Sequence, residues 1–332
     1  LAELHGAGVV TLYNVAASFP NDHPLHIGMA RLTVQADLCK RIRDADLVIA
    51  LDWTDLAGTL AQVWPDGQGM PPVIAVSDDQ HLHRGWSMDY HRLVPADLRI
   101  TTRPEPFVAA LRVHAEAAGM VRRALPPVAA QSDGNSDPGP IHLRDLAAAF
   151  RRVFADDQVT LVSRAIGWPE AALHIRGPLD FLGAKGGEGL GAGPGMLVGA
   201  ALAIRDNHPG RLAVSVVGDG DFLMGASALW TAAAERIPLL CIVANNRSYN
   251  NDAAHQERVA IRRGRPVENR LIGIAIADPA PDIPGHARSL GLTAQDTVRD
   301  KSALDDALRA ARAQVLNGLP VVLDVEVVPV RK

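Results

Sequence analysis

The sequence lacks the features of a secreted, membrane or nucleic-acid-binding protein. Its 332 residues include two cysteines, Cys39 and Cys241, too few for a disulfide framework. There are 33 lysines and arginines against 37 aspartates and glutamates, so no basic field exists to attract nucleic acid or an anionic membrane. No apolar run reaches the roughly 18 residues of a membrane span, and no signal-peptide pattern opens the chain. We therefore expect a cytoplasmic protein with no membrane or nucleic-acid partner.

The chain does contain a regular alternation of apolar β-rich runs and helical segments. Continuous apolar runs lie at 47–51, 73–76, 212–217 and 239–244, and helical spacing of apolar residues separates them. This rhythm is typical of parallel sheets whose two faces are both covered by helices. We therefore expect the α/β class, with two doubly wound, mainly parallel-sheet domains.

A segment dense in turn residues divides the two halves. Residues 126–140 contain proline, glycine, serine, asparagine and aspartate without a hydrophobic period. Unstructured loops longer than about 12–15 residues are uncommon inside compact domains, so we interpret the segment as a linker. The predicted organisation is a first domain at 1–125, a linker at 126–140 and a second domain at 141–332.

A Gly-Asp-Gly sequence follows the apolar run at 212–217. Gly218 and Gly220 let the backbone approach a phosphate closely. The acids Asp219 and Asp221 would repel that phosphate unless a divalent cation lay between, and Mg²⁺ uses one or two carboxylates together with phosphate oxygens. The pattern predicts a metal-bridged phosphate site at the carboxyl end of a strand.

The next apolar run ends in Asn245 and Asn246, the second of them 27 residues beyond Asp219. One strand–helix–strand unit returns the chain to the same sheet edge, so we expect Asn246 to lie beside Asp219. A carboxylate, an amide oxygen and a backbone carbonyl suit a hard cation that carries a diphosphate. Either motif alone is weak, but the two together at successive strand ends are specific.

These two motifs resemble the cofactor signature of the thiamin-diphosphate (ThDP) enzymes. The resemblance implies Mg²⁺ held by the Asp219 carboxylate, the Asn246 side chain and the Ser248 backbone carbonyl. Asp221 departs from the serine or alanine that is frequent there, so the resemblance assigns a role to its backbone N–H and none to its side chain. The residues that it implies around the cofactor at this edge are Gly218, Gly220, Asp221, Phe222, Asn246, Ser248 and Tyr249.

A glycine-rich stretch at 186–195 resembles a second segment of the same family. There a Met, Ile or Leu lies under the cofactor and bends its two rings into a V, and Leu190 is the matching residue. The residue two before it presents a backbone carbonyl to the aminopyrimidine ring; here that residue is Glu188, where the family often has glycine, and Gly189 lies between. The alternative is a plain helix-capping glycine cluster, which the neighbouring signature disfavours.

The first domain resembles the middle domain of the acetolactate synthase and benzoylformate decarboxylase branch. The resemblance rests on Phe-Pro-Asn-Asp-His-Pro-Leu at 19–25 and on Ala-Asp-Leu-Val-Ile-Ala-Leu at 45–51. It implies a Rossmann-like domain that binds FAD or ADP in some members. Residues 1–125 contain no Gly-x-Gly-x-x-Gly, so we predict no nucleotide there, and we expect His23 to hold a turn.

Two further patterns can be interpreted with or without a functional role. The charged run at 255–265 is either a mobile lid over an anionic substrate or a solvated charged loop. His81 and His83 form a pair, and His91 follows, but no third ligand lies at a spacing typical of a metal site, so we predict no zinc site.

The resemblance implies a ThDP- and Mg²⁺-dependent lyase or carboligase that acts on 2-oxo acids, by decarboxylation or by acetolactate-synthase-like ligation. One alternative is an enzyme of the 2-hydroxyacyl-CoA lyase or oxalyl-CoA decarboxylase type; another is a non-catalytic cofactor-binding subunit that needs a separate pyrimidine-domain chain. In the family, the activating glutamate lies in an N-terminal pyrimidine-binding domain, which the resemblance does not find here. We therefore expect an N-terminally incomplete middle domain and a chain that is inactive alone. The resemblance also implies a homodimer or homotetramer with active sites at the subunit interface.

Overall fold

The computed structural model describes residues 1–13, 15–31, 33–79, 95–125, 138–183 and 189–329. The chain divides into two compact units: residues 1–14 and 22–129 form the first, and residues 15–21 and 130–332 form the second. Most of the predicted linker lies outside the described residues, which resume at 138. The three histidines at 81, 83 and 91 also lie outside them.

The first unit, in its described residues, contains two small parallel sheets with helices between the strands. One sheet pairs β1 (Val9–Leu12) with β2 (His26–Ala30). The other has the order β3-β4-β5. Its strands are β3 (Val48–Leu51), β4 (Val73–Val76) and β5 (Leu98–Ile100). The helices are α1 (Ala2–His5), α2 (Ala36–Arg43), α3 (Leu56–Val63) and α4 (Pro104–Ala117).

His23 lies in the turn before β2. Its ring Nδ1 accepts a hydrogen bond from the Leu25 N–H at 3.1 Å, and its Nε2 lies 3.3 Å from Glu3 Oε1. These bonds give the imidazole a structural role in closing the turn.

The second unit is built on a five-stranded parallel sheet with the order β6-β7-β8-β10-β9. The strands are β6 (Val159–Ser163), β7 (Leu212–Gly218), β8 (Leu239–Asn245), β9 (Thr293–Ala294) and β10 (Pro320–Glu326). Every strand pairing described in both units is parallel, which confirms the predicted α/β fold class.

The second unit also contains helices before and between these strands. They are α5 (Leu143–Val153), α6 (Ala192–Asn207), α7 (Asp219–Gly225), α8 (Leu229–Ala234), α9 (Asn250–Arg262), α10 (Ile283–Ser289) and α11 (Leu304–Leu316). Strand β8 is buried along its whole length, because apolar residues on both faces contact helices. None of the described helices has the length and apolarity needed to cross a membrane.

Two details differ from the sequence expectations. The segment 15–21 belongs to the second unit, since the Ala17 N–H bonds the Phe181 carbonyl at 2.9 Å and the Asn21 Oδ1 accepts from the Ile175 N–H at 2.9 Å. Residues 255–262 of the charged run lie in α9 and not in a loop, because the alanine, glutamine, glutamate and arginine residues of this segment favour a helix.

Candidate functional site

The candidate site begins at the carboxyl edge of the second sheet. Strands β7 and β8 are parallel neighbours, and Gly218 at the end of β7 is opposite Ala244 near the end of β8. Asp219 and Asn246 each follow one of these strands, so both lie at the same edge of the sheet. The structure therefore brings together the two motifs that the sequence analysis pairs.

Asp219 is a buried carboxylate with spare acceptor capacity. Asp219 is 2% exposed, and its Oδ2 has no hydrogen-bond partner among the described residues. Burial raises the pKa of Asp219 from 3.8 to about 6, although backbone N–H groups, including those of Ser248 and Arg247, act to lower it. A buried acceptor without a hydrogen bond destabilises the folded protein by about 1–3 kcal/mol. A bound cation would remove that cost.

The two asparagines shape the turn that faces Asp219. The Asn245 Oδ1 accepts from the Arg247 N–H at 3.2 Å. The Asn246 Oδ1 accepts from both the N–H and the Oγ–H of Ser248, each at 3.0 Å. Since an amide oxygen has two lone pairs, a metal at Asn246 would displace the hydroxyl and keep the backbone bond.

Arg247 adopts the left-handed region, with φ of 56°, in the middle of this turn. Such a conformation is uncommon for a residue with a side chain, and backbone strain of about 1–3 kcal/mol persists where surrounding bonds hold it. Here the Arg247 Nη2 donates to Glu326 Oε2 at 2.8 Å, and the Arg247 carbonyl accepts from the Ile276 N–H at 2.7 Å. The strained turn places the Ser248 N–H near Asp219.

Tyr249 covers the backbone of Gly220. A Cβ at residue 220 would collide with the Tyr249 ring, so only glycine fits there without movement of the ring. A Cβ at Gly218 would meet nothing within 4 Å. The two glycines of the motif therefore differ: one allows close packing by Tyr249, and the other faces open space.

The segment with Leu190 lies next to α7. Glu188 is outside the described residues, which resume at Gly189. Leu190 is 51% exposed, and Gly191 precedes α6 with φ of 89°. Leu190 is thus free to contact a ligand or another chain.

Two of the expected cofactor residues turn their side chains inward. Phe222 is fully buried in the core of the second unit and contacts the edge of the His286 ring, so its backbone alone is left to face a ligand. The Asp221 Oδ1 accepts from the Gly191 N–H at 2.6 Å. Nothing in the spacing of the motifs predicts this bond, and no sequence signal other than the unusual acid at 221 points to it.

No group of three or more His, Cys, Asp or Glu side chains is arranged to hold a metal in the described part of the chain. The set expected here contains one carboxylate, one amide oxygen and one carbonyl, and so is of a different type. A cavity of about 240 Å³ has Asn246, Arg247, Arg299 and Glu326 in its lining, but neither Asp219 nor Ser248. The Arg247 and Arg299 guanidinium groups both pair with Glu326.

Comparison with known proteins gives matches over the second unit and beyond. Residues 164–325 match the family described as thiamine pyrophosphate enzyme, C-terminal TPP binding domain. Acetolactate synthase of Bacillus subtilis is 33% identical over 177 residues, which cover 52% of this chain and 28% of that protein. Benzoylformate decarboxylase of Pseudomonas aeruginosa is 31% identical over 125 residues, which cover 37% of this chain and 22% of that protein.

A solved structure matches the whole chain. The thiamine diphosphate-dependent 4-hydroxybenzoylformate decarboxylase of Rhodococcus jostii RHA1 has a TM-score of 0.76 at 22% identity, and the match covers 100% of this chain and 58% of that one. At this identity the likeness shows the fold. The chain spans less than two thirds of the length of each of these proteins.

Proposed function

We propose that Asp219, Asn246 and Ser248 hold Mg²⁺ for the diphosphate of a thiamine pyrophosphate cofactor, on the premise that residues 164–325 match the C-terminal TPP binding domain of the thiamine pyrophosphate enzymes. The observation that supports the proposal is the buried Asp219, whose Oδ2 has no partner among the described residues. A divalent cation would compensate this charge and allow a second anion to approach. The residues present therefore fit the group.

Each residue of the site has a role that its chemistry allows. The Asp219 carboxylate supplies the charged ligand, and the Asn246 Oδ1 and the Ser248 carbonyl supply neutral oxygens. Gly218 faces open space that a phosphate oxygen could occupy, and Gly220, packed against the Tyr249 ring, contributes its backbone N–H. Leu190 supports the two aromatic rings of the cofactor from below.

The proposed reaction class is the cleavage or ligation of 2-oxo acids. When bound, thiamin diphosphate supplies the electron sink that decarboxylation of such an acid requires. The two relatives named acetolactate synthase and benzoylformate decarboxylase support this class, although each match covers only part of those proteins. The chain's own residues bind and orient the cofactor.

We further propose a cytoplasmic homo-oligomer whose active site lies where two subunits meet. Cys39 and Cys241 are both buried and form no disulfide, as suits a reducing compartment. The half-exposed Leu190 has room for a second chain to cover it.

A panel of 2-oxo acids, assayed with the complete protein from its native gene, tests the reaction class. We expect release of CO₂ from at least one acid, dependent on both ThDP and Mg²⁺, and loss of that release in Asp219→Ala. The control is Asp206→Asn, which removes a surface carboxylate at the far end of α6. Release that is independent of the cofactor, or turnover of acyl-CoA substrates alone, would contradict the 2-oxo acid assignment.

A further inference from the structure

Asp221 is a second buried carboxylate, two residues beyond Asp219 in the first turn of α7. It is 3% exposed, and its Oδ1 accepts from the Gly191 N–H at 2.6 Å. The side chain thus joins α7 to the turn that precedes α6.

The helix and the turn meet without large side chains between them. A Cβ at Gly193 would lie 2.6 Å from Asp221 Oδ2 and 2.9 Å from Val217 Cγ1. A Cβ at Gly225 would collide with the Gly191 carbonyl oxygen. These glycines let the backbone of the turn dock directly on α7, so the Asp221 bond forms at a closely packed contact.

The bonded N–H belongs to the peptide group that joins Leu190 to Gly191. Because a peptide group is planar, a hydrogen bond that fixes this N–H also fixes the direction of the Leu190 carbonyl and the position of its Cα. Asp219 begins the same helix that carries Asp221. The bond therefore fixes the position of the Leu190 backbone relative to the helix that begins at Asp219.

We propose that Asp221 is a positioning residue, which holds the Leu190 turn at a fixed distance and orientation from the Asp219 metal ligand. The inference rests on the proposed function. In that function Leu190 lies under the rings of the cofactor and Asp219 holds the metal of its diphosphate, so the distance between the two residues must match a single cofactor molecule. A contact between the Asp221 backbone and the diphosphate would leave the bond from the Gly191 N–H to the Asp221 side chain without a role, whereas positioning of the turn gives it one.

The test compares Asp221→Ala, Asp221→Asn and the control Asp206→Asn in the complete protein. The first readout is hydrogen exchange at the Gly191 amide without cofactor. We expect exchange to become about 10-fold faster in Asp221→Ala, the effect of losing one buried hydrogen bond. The change in Asp221→Asn should be smaller, because its amide oxygen still accepts, and Asp206→Asn should match the wild type.

The second readout separates positioning from ligation. With ThDP and Mg²⁺, we expect Asp221→Ala to keep the cofactor Kd within about 3-fold and to slow proton exchange at the thiazolium C2 by about 10-fold. Gly193→Ala, which inserts a methyl group against the carboxylate, should reproduce both effects, and the double variant should add little. If Gly193→Ala does not fold, the near-isosteric Asp221→Asn still provides the comparison.

Two results would overturn the inference. One is wild-type exchange at Gly191 in Asp221→Ala. The other is a large loss of ThDP affinity with unchanged Gly191 exchange, which would make Asp221 a cofactor ligand. Failure of the proposed function has a different signature: the wild-type protein itself would bind no ThDP with Mg²⁺, whereas the Gly191 readout, made without cofactor, would be unaffected.

Discussion

Replacement of Asp219 by asparagine should stabilise the cofactor-free protein, relative to the wild type, more at neutral pH than at acid pH. Burial raises the pKa of Asp219 from 3.8 to about 6 in the folded protein. The folded state therefore holds this proton more tightly than the unfolded state does. Between about pH 4 and pH 6 stability falls as pH rises, because the folded state binds more protons there.

The size of the effect follows from the shift. A difference of about two pKa units corresponds to about 3 kcal/mol at pH 7, at about 1.4 kcal/mol per unit. Asparagine does not titrate, so the free energy of unfolding of Asp219→Asn minus that of the wild type should grow by about 2.4 kcal/mol from pH 4 to pH 7, the rest of the difference being already present at pH 4. Any fixed cost of the new amide cancels in this comparison.

Urea unfolding at several pH values measures this difference, followed by the fluorescence of the fully buried Trp168 in the second unit. Asp206→Asn corrects for the general loss of one carboxylate. Saturating Mg²⁺ and ThDP should remove most of the pH dependence in the wild type, since a cation neutralises the buried charge. A difference that stays constant with pH, or that grows toward acid pH, would refute the reasoning.

Three further predictions concern the neighbouring residues. Leu190→Ala should leave ThDP affinity nearly unchanged but slow proton exchange at the cofactor C2, as followed by NMR; a wild-type rate would exclude a role in bending the rings. Gly220→Ala should lower the free energy of unfolding by about 1–2 kcal/mol, because overpacking against Tyr249 exceeds the gain in helix propensity, whereas Gly218→Ala should change it by less than about 0.5 kcal/mol. Asn246→Ala should weaken Mg²⁺ binding at least 10-fold by calorimetry, whereas Ser248→Ala should keep it equal or strengthen it, because the Ser248 ligand is a carbonyl and its hydroxyl occupies a lone pair of Asn246; equal losses in both variants would refute this geometry.

The fold class and the meeting of the two motifs could be predicted from the sequence for one physical reason. Strands of a parallel sheet all point the same way, so residues that follow β7 and β8 must share an edge. The continuous apolar runs marked those strands to within about two residues. Asp219 and Asn246 could therefore be paired without coordinates.

The contacts made by side chains across the chain could not be predicted in this way. The Asp221 bond to Gly191 joins residues 30 apart through a loop whose path depends on glycine dihedral angles and on the packing of α6 against α7. The burial of Phe222 depends on the direction of the first turn of α7, which begins at Asp219 itself. The helix at 250–262 could not be predicted because its sequence has little apolar periodicity. Ala253 is the residue of this helix that is buried.

The central claim is that the edge formed by Asp219 and Asn246 is a Mg²⁺–diphosphate site. Calorimetric titration of ThDP into the complete protein, with and without Mg²⁺, for the wild type and Asp219→Ala tests it most directly. We predict that Mg²⁺ strengthens ThDP binding to the wild type at least 100-fold, as expected when a charged metal ligand couples to a diphosphate. We predict that Asp219→Ala abolishes this dependence on Mg²⁺. Equal ThDP affinity in the two proteins, at every Mg²⁺ concentration, would contradict the assignment.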